Sequence, residues 1–225
     1  MLIVQLILRN IHINLLKDFP MRKIFSAVAV GLAMAAGAAQ ALPSYLPVGA
    51  QANVALATVT GGGWTQCYAA TMSVSIGDSG ENVLNQCTGD YLMMAGRETG
   101  SSTFLALAAA LRSDTIIDTG NNSTTHTANG AEWWYSDNWS WGFTALGDTV
   151  TNGECDVSAS PLSMCLHTLA FAGGYRINDI QGLNGSTQYE KVFFVANNAN
   201  NVPEPGSLAL LGLALAGLTV LRRRT

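Results

Sequence analysis

In the run CYAATMSVSI, Tyr68, Ala70, Met72, Val74 and Ile76 alternate with Thr71, Ser73 and Ser75. Only an extended strand converts that period of two into one buried and one wetted face. The signal returns where Trp139, Trp141 and Phe143 alternate with Ser140, Gly142 and Thr144. Between them, YLMMAGR at 91–97 and TFLALAAAL at 103–111 flank Gly100-Ser101-Ser102, and Arg112-Ser113-Asp114 turns the chain into TIIDT, both hairpin signals. YEKVFFVA at 189–196 reads as a closing strand. The alanine-rich stretch 106–110 fits either a strand or a buried helix, because periodicity does not separate them in a short apolar run. Many short strands with Gly, Asn and Ser turns predict an all-β fold, an antiparallel β-sandwich or jelly-roll-like body.

Both ends of the chain differ from this body. From Met21, MRKIFSAVAVGLAMAAGAAQA has a basic start, an apolar run and the small-residue cleavage site Ala39-Gln40-Ala41, the pattern of a secretory signal helix cut by a signal peptidase. Residues 1–41 are therefore expected to be a signal peptide, with translation starting at Met21. At the other end, Ser207 caps an apolar run from Leu208 to Leu221, which as a helix is roughly 21 Å long. This predicts a short transmembrane helix over 207–221, marginal against a ~30 Å hydrocarbon core. Arg222, Arg223 and Arg224 follow as a stop-transfer cluster that holds the end in the cytoplasm and puts the body outside. Upstream, Pro203 and Pro205 fix their own φ and keep Glu204 extended, a shape suited to a protease cleft. The body is then 42–201, about 160 residues, enough for one domain with a core of its own.

The segment 202–225 resembles the PEP-CTERM sorting signal of Gram-negative bacteria, with Pro203, Glu204 and Pro205 standing on the motif. The resemblance implies an exported protein that is held in the inner membrane until an exosortase, an integral-membrane cysteine transpeptidase, processes the tail. It also implies delivery to the cell surface or extracellular matrix and an association with exopolysaccharide and biofilm.

Within 42–201 there are 4 Lys and Arg against 13 Asp and Glu, a net charge of −9, so the body repels phosphate backbones and nucleic acid is excluded as a partner. All four cysteines lie in this exported part, which predicts two disulfides. The pairing Cys67 with Cys87 and Cys155 with Cys165 is favoured because each pair brackets a short loop-rich segment. No Cys-x-x-Cys pair supports a zinc site, and neither metal nor cofactor is expected.

The catalytic inventory is thin. His126 is expected in a polar loop, NNSTTHTANG, His167 follows Cys165-Leu166 at an expected strand edge, and neither G-x-S-x-G nor H-E-x-x-H occurs. Asp114, Asp118, Glu132 and Asp137 are carboxylates for glycoside hydrolysis only if two of them meet, and their spacing selects no pair. No enzyme is expected; a secreted hydrolase of matrix polysaccharide is the alternative. Binding has the stronger signal, since Trp133, Trp134, Trp139 and Trp141 fall within AEWWYSDNWSWGF. Adjacent Trp133 and Trp134 on a strand point to opposite faces, so one of them is expected to be exposed or covered by a loop, and the four rings are candidate contacts for a sugar.

Overall fold

Apolar runs of this length become strands, and how far each is buried decides the layer it joins. The computed structural model describes residues 43–151, 155–157 and 161–198. In chain order the described strands are β1 (Val54–Ala55), β2 (Thr65–Thr71), β3 (Tyr91–Glu98), β4 (Thr103–Phe104), β5 (Ala106–Leu111), β6 (His126–Ala128), β7 (Ala131–Tyr135), β8 (Ser140–Ala145), β9 (Val150–Thr151), β10 (Asp156–Val157), β11 (Met164–His167), β12 (Gly174–Ile177) and β13 (Tyr189–Ala196). Two antiparallel sheets dominate, one ordered β2-β13-β3-β5 and the other β12-β11-β8-β7-β6. The fold is thus mostly antiparallel β.

The two sheets share one core. Leu92, Met94, Ala106, Ala108, Ala110 and Phe193 of the four-stranded sheet pack with Trp133, Trp141, Phe143, Met164, Leu166 and Ile177 of the five-stranded one. Trp141 and Phe193 meet across the interface with ring centroids 5.4 Å apart. The outer face of the four-stranded sheet is buried as well: Met93, Ala95, Leu107, Ala109, Val192 and Phe194 lie with Val59 and Trp64, and Tyr45, Leu46 and Leu56 pack against them. Residues 43–64, including the short helix Leu56–Gly61, therefore cover that face. Burial on both faces makes LMMA, LALAAA and VFFVA continuous apolar runs, and it resolves the alanine-rich stretch as strand β5.

Several sequence expectations need correction. The alternation from Tyr68 to Ile76 is not one strand: β2 stops at Thr71, Met72 and Ile76 are buried, and Val74 is exposed. The backbone turns there because the Val74 N–H donates to the Thr71 carbonyl at 3.1 Å. The chain turns at Arg112-Ser113-Asp114 as expected, but TIIDT forms no hairpin with β5; its Asp118 makes an isolated parallel bridge to Tyr135. Arg112–Thr115 is a helical turn, held because Arg112 donates through Nε to the Cys87 carbonyl at 2.8 Å and through Nη2 to the Leu84 carbonyl at 3.1 Å. YEKVFFVA is strand β13, the last of the described strands as expected, and it lies inside its sheet between β2 and β3. His126 begins the edge strand β6 rather than lying in a loop, because Asn129 and Gly130, both at positive φ, close the β6–β7 hairpin.

Cys67 is bonded to Cys87 and Cys155 to Cys165, with Cα atoms 5.2 and 5.6 Å apart. The first ties edge strand β2 to the turn after the helix Glu81–Leu84. The second fastens the segment carrying β10 to β11. Among the described residues no helix is long and apolar enough to cross a membrane. The expected signal helix with Ala39 and Ala41, the motif Pro203, Glu204 and Pro205, the helix 207–221 and the arginines at 222–224 lie outside the described residues.

Candidate functional site

The tryptophans separate by strand parity and by what covers each face. Trp133 and Trp141 point into the inter-sheet core and are 1% and 0% exposed. Trp134 takes the opposite face, yet it is only 1% exposed, because Val150, Cys155 and Cys165 form a third, smaller cluster over it with Tyr175 packed alongside. The ring lies across Gly142, its register partner on β8. Trp133, Trp134 and Trp141 are therefore all buried, and of the adjacent pair Trp134 is the ring covered by later segments of the chain. Adjacent indoles need opposite faces, and here both faces are covered.

Trp139 is the exception. It is 39% exposed and sits in the turn between β7 and β8, where Ser136 N–H donates to the Ser140 carbonyl at 2.8 Å and Asn138 adopts positive φ. Two further loops converge on this turn. In the β11–β12 loop, Thr168 Oγ1 accepts the Trp139 N–H at 2.7 Å, and Thr168 N–H donates to the Trp139 carbonyl at 3.0 Å. In the loop after β2, Ser79 N–H donates to the Thr168 carbonyl at 3.0 Å, Ser79 Oγ donates to Asp137, and Asp78 accepts the Ala170 N–H at 2.8 Å. The Tyr135 hydroxyl donates to the Ser79 carbonyl at 2.9 Å; burial first, then the carboxylates of Asp137 and Asp118, push its pKa up. Phe171, next to Ala170, is 86% exposed. One end of the domain thus carries two accessible aromatic rings and the carboxylates Asp78 and Asp137 on three hydrogen-bonded loops. Sequence reading missed Phe171; its signal was a lone aromatic before the glycine pair of a hairpin turn, Phe171-Ala172-Gly173-Gly174.

Of the other titratable candidates, His167 borders this loop end through a hydrogen bond to the Trp139 backbone, while the remaining carboxylates lie elsewhere. His167, half-buried at the end of β11, packs edge-on to Tyr175 with ring centroids 5.9 Å apart, and burial pushes its imidazole below the ordinary value. Glu132 accepts from Thr125 Oγ1 and Thr127 Oγ1, each at 3.0 Å, and from the Gly147 N–H. Asp118 accepts from the Gly120 N–H, and Asp114 lies beside Ser113. Glu132, on β7, is thus held from β6 and from the turn after β8, and Asp118 and Asp114 by residues beside them in sequence. Among the described residues no three His, Cys, Asp or Glu side chains gather as a metal cage.

Comparison with protein families matches residues 201–224 to the PEP-CTERM protein-sorting motif, at the C-terminus of the chain. The motif implies an exported protein processed by an exosortase. No curated protein and no solved structure matches the chain.

Proposed function

We propose that the body is a non-catalytic cell-surface or matrix module, a two-sheet β-sandwich that holds extracellular polysaccharide at the loop end around Trp139. One observation carries the reading: Trp139 is the accessible member of the tryptophan cluster, its backbone N–H and carbonyl are both held by Thr168, and it lies on a loop end with the carboxylates Asp78 and Asp137 and exposed Phe171. An aromatic face stacks on the apolar face of a pyranose ring, and neighbouring carboxylates accept from its hydroxyls. The charge of −9 across 42–201 favours neutral or amine-bearing polymers over uronates. Exosortase sorting brings the module to that polymer.

Retention of surface-recovered protein in gels cast with neutral, amine-bearing or uronate polysaccharide tests the site. Trp139→Ala should lose retention in the first two while changing unfolding by less than about 0.5 kcal/mol, the usual effect of a surface substitution. Unchanged retention rejects the loop end, and shortening of the polymer by the unaltered protein favours the hydrolase reading. The sorting step has its own readout. Replacing Pro203, Glu204 and Pro205 with alanine should leave a membrane-held species whose intact mass still includes Arg222 to Arg224, whereas the unaltered protein at the surface should lack them.

A further inference from the structure

Lys191 is the third residue of β13 and is completely buried, at 0% exposure. It shares strand parity with Phe193, so its stem enters the inter-sheet face, and its Nζ donates to the Thr71 carbonyl at 2.7 Å and the Val74 carbonyl at 2.5 Å. A neutral amine has two N–H donors and an ammonium has three. Two carbonyls satisfy the first and leave one donor of the second unmatched. No carboxylate offsets the charge: among the described residues the ion pair is Arg97 with Glu190, both at positions of opposite parity.

The neighbouring elements add no counter-ion. On β3 the register partner is Gly96, Arg97 takes the other face, and Glu98, on the same face as Lys191, is exposed and paired in register with Tyr189. On β2 the partner is Ala70, and the Tyr68 phenol is kept neutral by burial. On β12, Ile177 packs over Gly96 while Arg176 pairs in register with Cys165 on the outward side. The 72–76 turn and residues 183–187 contain no titratable side chain.

We propose that Lys191 is a pH-responsive fastener: its uncharged amine holds the Thr71–Val74 turn, and protonation releases that turn together with the loop end it supports. The connection is short. Ser75 follows the turn directly, and its Oγ donates to the Leu169 carbonyl at 2.6 Å and accepts the Gly77 N–H at 2.9 Å. Burial pushes the Lys191 ammonium down to about 7, in keeping with the donor count. A lowered folded-state pKa means that between about 7 and the ordinary ~10.4 the unfolded chain holds more protons than the folded one. Stability therefore climbs with pH across that window and is least below it.

The Lys191 side-chain ¹³Cε resonance of the whole exported protein should titrate with a midpoint near 7, and a midpoint near the ordinary lysine value overturns the proposal. The melting temperature should rise between pH 6 and pH 9, and Lys191→Met, which keeps the apolar stem and carries no proton, should remove most of that rise. An equal rise in both proteins overturns it too. Should Lys191→Met fail to fold, the resonance decides alone. Release of the loop end is read by amide exchange: protection at 75–80, corrected for intrinsic rate, should fall on acidification through pH 7 ahead of β13. Equal loss in both segments overturns the coupling to the loop end.

Discussion

Trp133→Ala and Trp134→Ala should each destabilise the body by about 3 to 5 kcal/mol, the range for removing a buried aromatic side chain. The two losses arise in different places. Trp133 lies between the sheets with its ring 5.4 Å from Phe143, in a core that both sheets hold open, so its cavity cannot collapse. Trp134 lies on the other face under the segment fastened by Cys155 and Cys165, and that cover can settle into part of the space. The loss for Trp134 belongs at the lower end. Phenylalanine sharpens the comparison, because neither indole N–H has a hydrogen-bond partner and replacing it removes an unsatisfied buried donor. Each Trp→Phe substitution should therefore cost less than its lost volume implies. Chemical denaturation of the four variants measures all of this, and a Trp134→Ala protein as stable as the parent would mean that the Cys155–Cys165 segment does not pack on the ring.

The adjacency of Trp133 and Trp134 was legible in the sequence as two faces, but what covered the second face was not. Its cover comes from residues beyond β8, and period-two reasoning assigns a residue to a face without saying whether that face is wet. The same limit explains β5 and β13. Both faces of the four-stranded sheet are buried, so Leu107 and Ala109 are as apolar as Ala106 and Ala108, and alternation vanishes just where the strand is most secure. Where one face is less apolar, as at Trp141-Gly142-Phe143, the strand was plain. The disulfide pairing was readable because each pair spans a short segment. Segment 71–76 misled for a specific reason: its alternation continues in the sequence after the backbone has left the sheet, with Met72 and Ile76 returning to the core and Val74 left outside. At the candidate site, the alternation counted Trp139 with Trp141 and Phe143, but the strand begins at Ser140 and leaves Trp139 in the turn before it; its link to Asp78 and Phe171 depends on hydrogen bonds between loops that are distant in sequence. Lys191 was open to the parity argument, since a lone cation two residues before core residue Phe193 on a strand must enter the same layer.

Gly142→Ala should be nearly as damaging as losing a tryptophan, for the opposite reason. Gly142 pairs with Trp134 on one side and Cys165 on the other, and its missing side chain is the space in which the Trp134 ring lies. A Cβ built there would stand 2.3 Å from the Met164 carbonyl oxygen and 2.4 Å from Trp134 Cζ2. The first neighbour is backbone in the adjacent strand and the second is a buried ring under a disulfide-fastened cover, so neither yields easily. Overpacking of this kind costs about 1 to 3 kcal/mol, and the upper end applies here. The two clashes can be separated by combining the substitution with Trp134→Ala. Removing the ring relieves one contact and leaves the carbonyl contact in place, so Gly142→Ala should cost less in the Trp134→Ala background, with a coupling of about 0.5 to 3 kcal/mol. Strict additivity in that double-mutant cycle would show that the ring does not lie over Gly142. A neutral Gly142→Ala would show that β8 and β11 have room to part, and the pairing of Gly142 with Cys165 would then not hold the outer core in place.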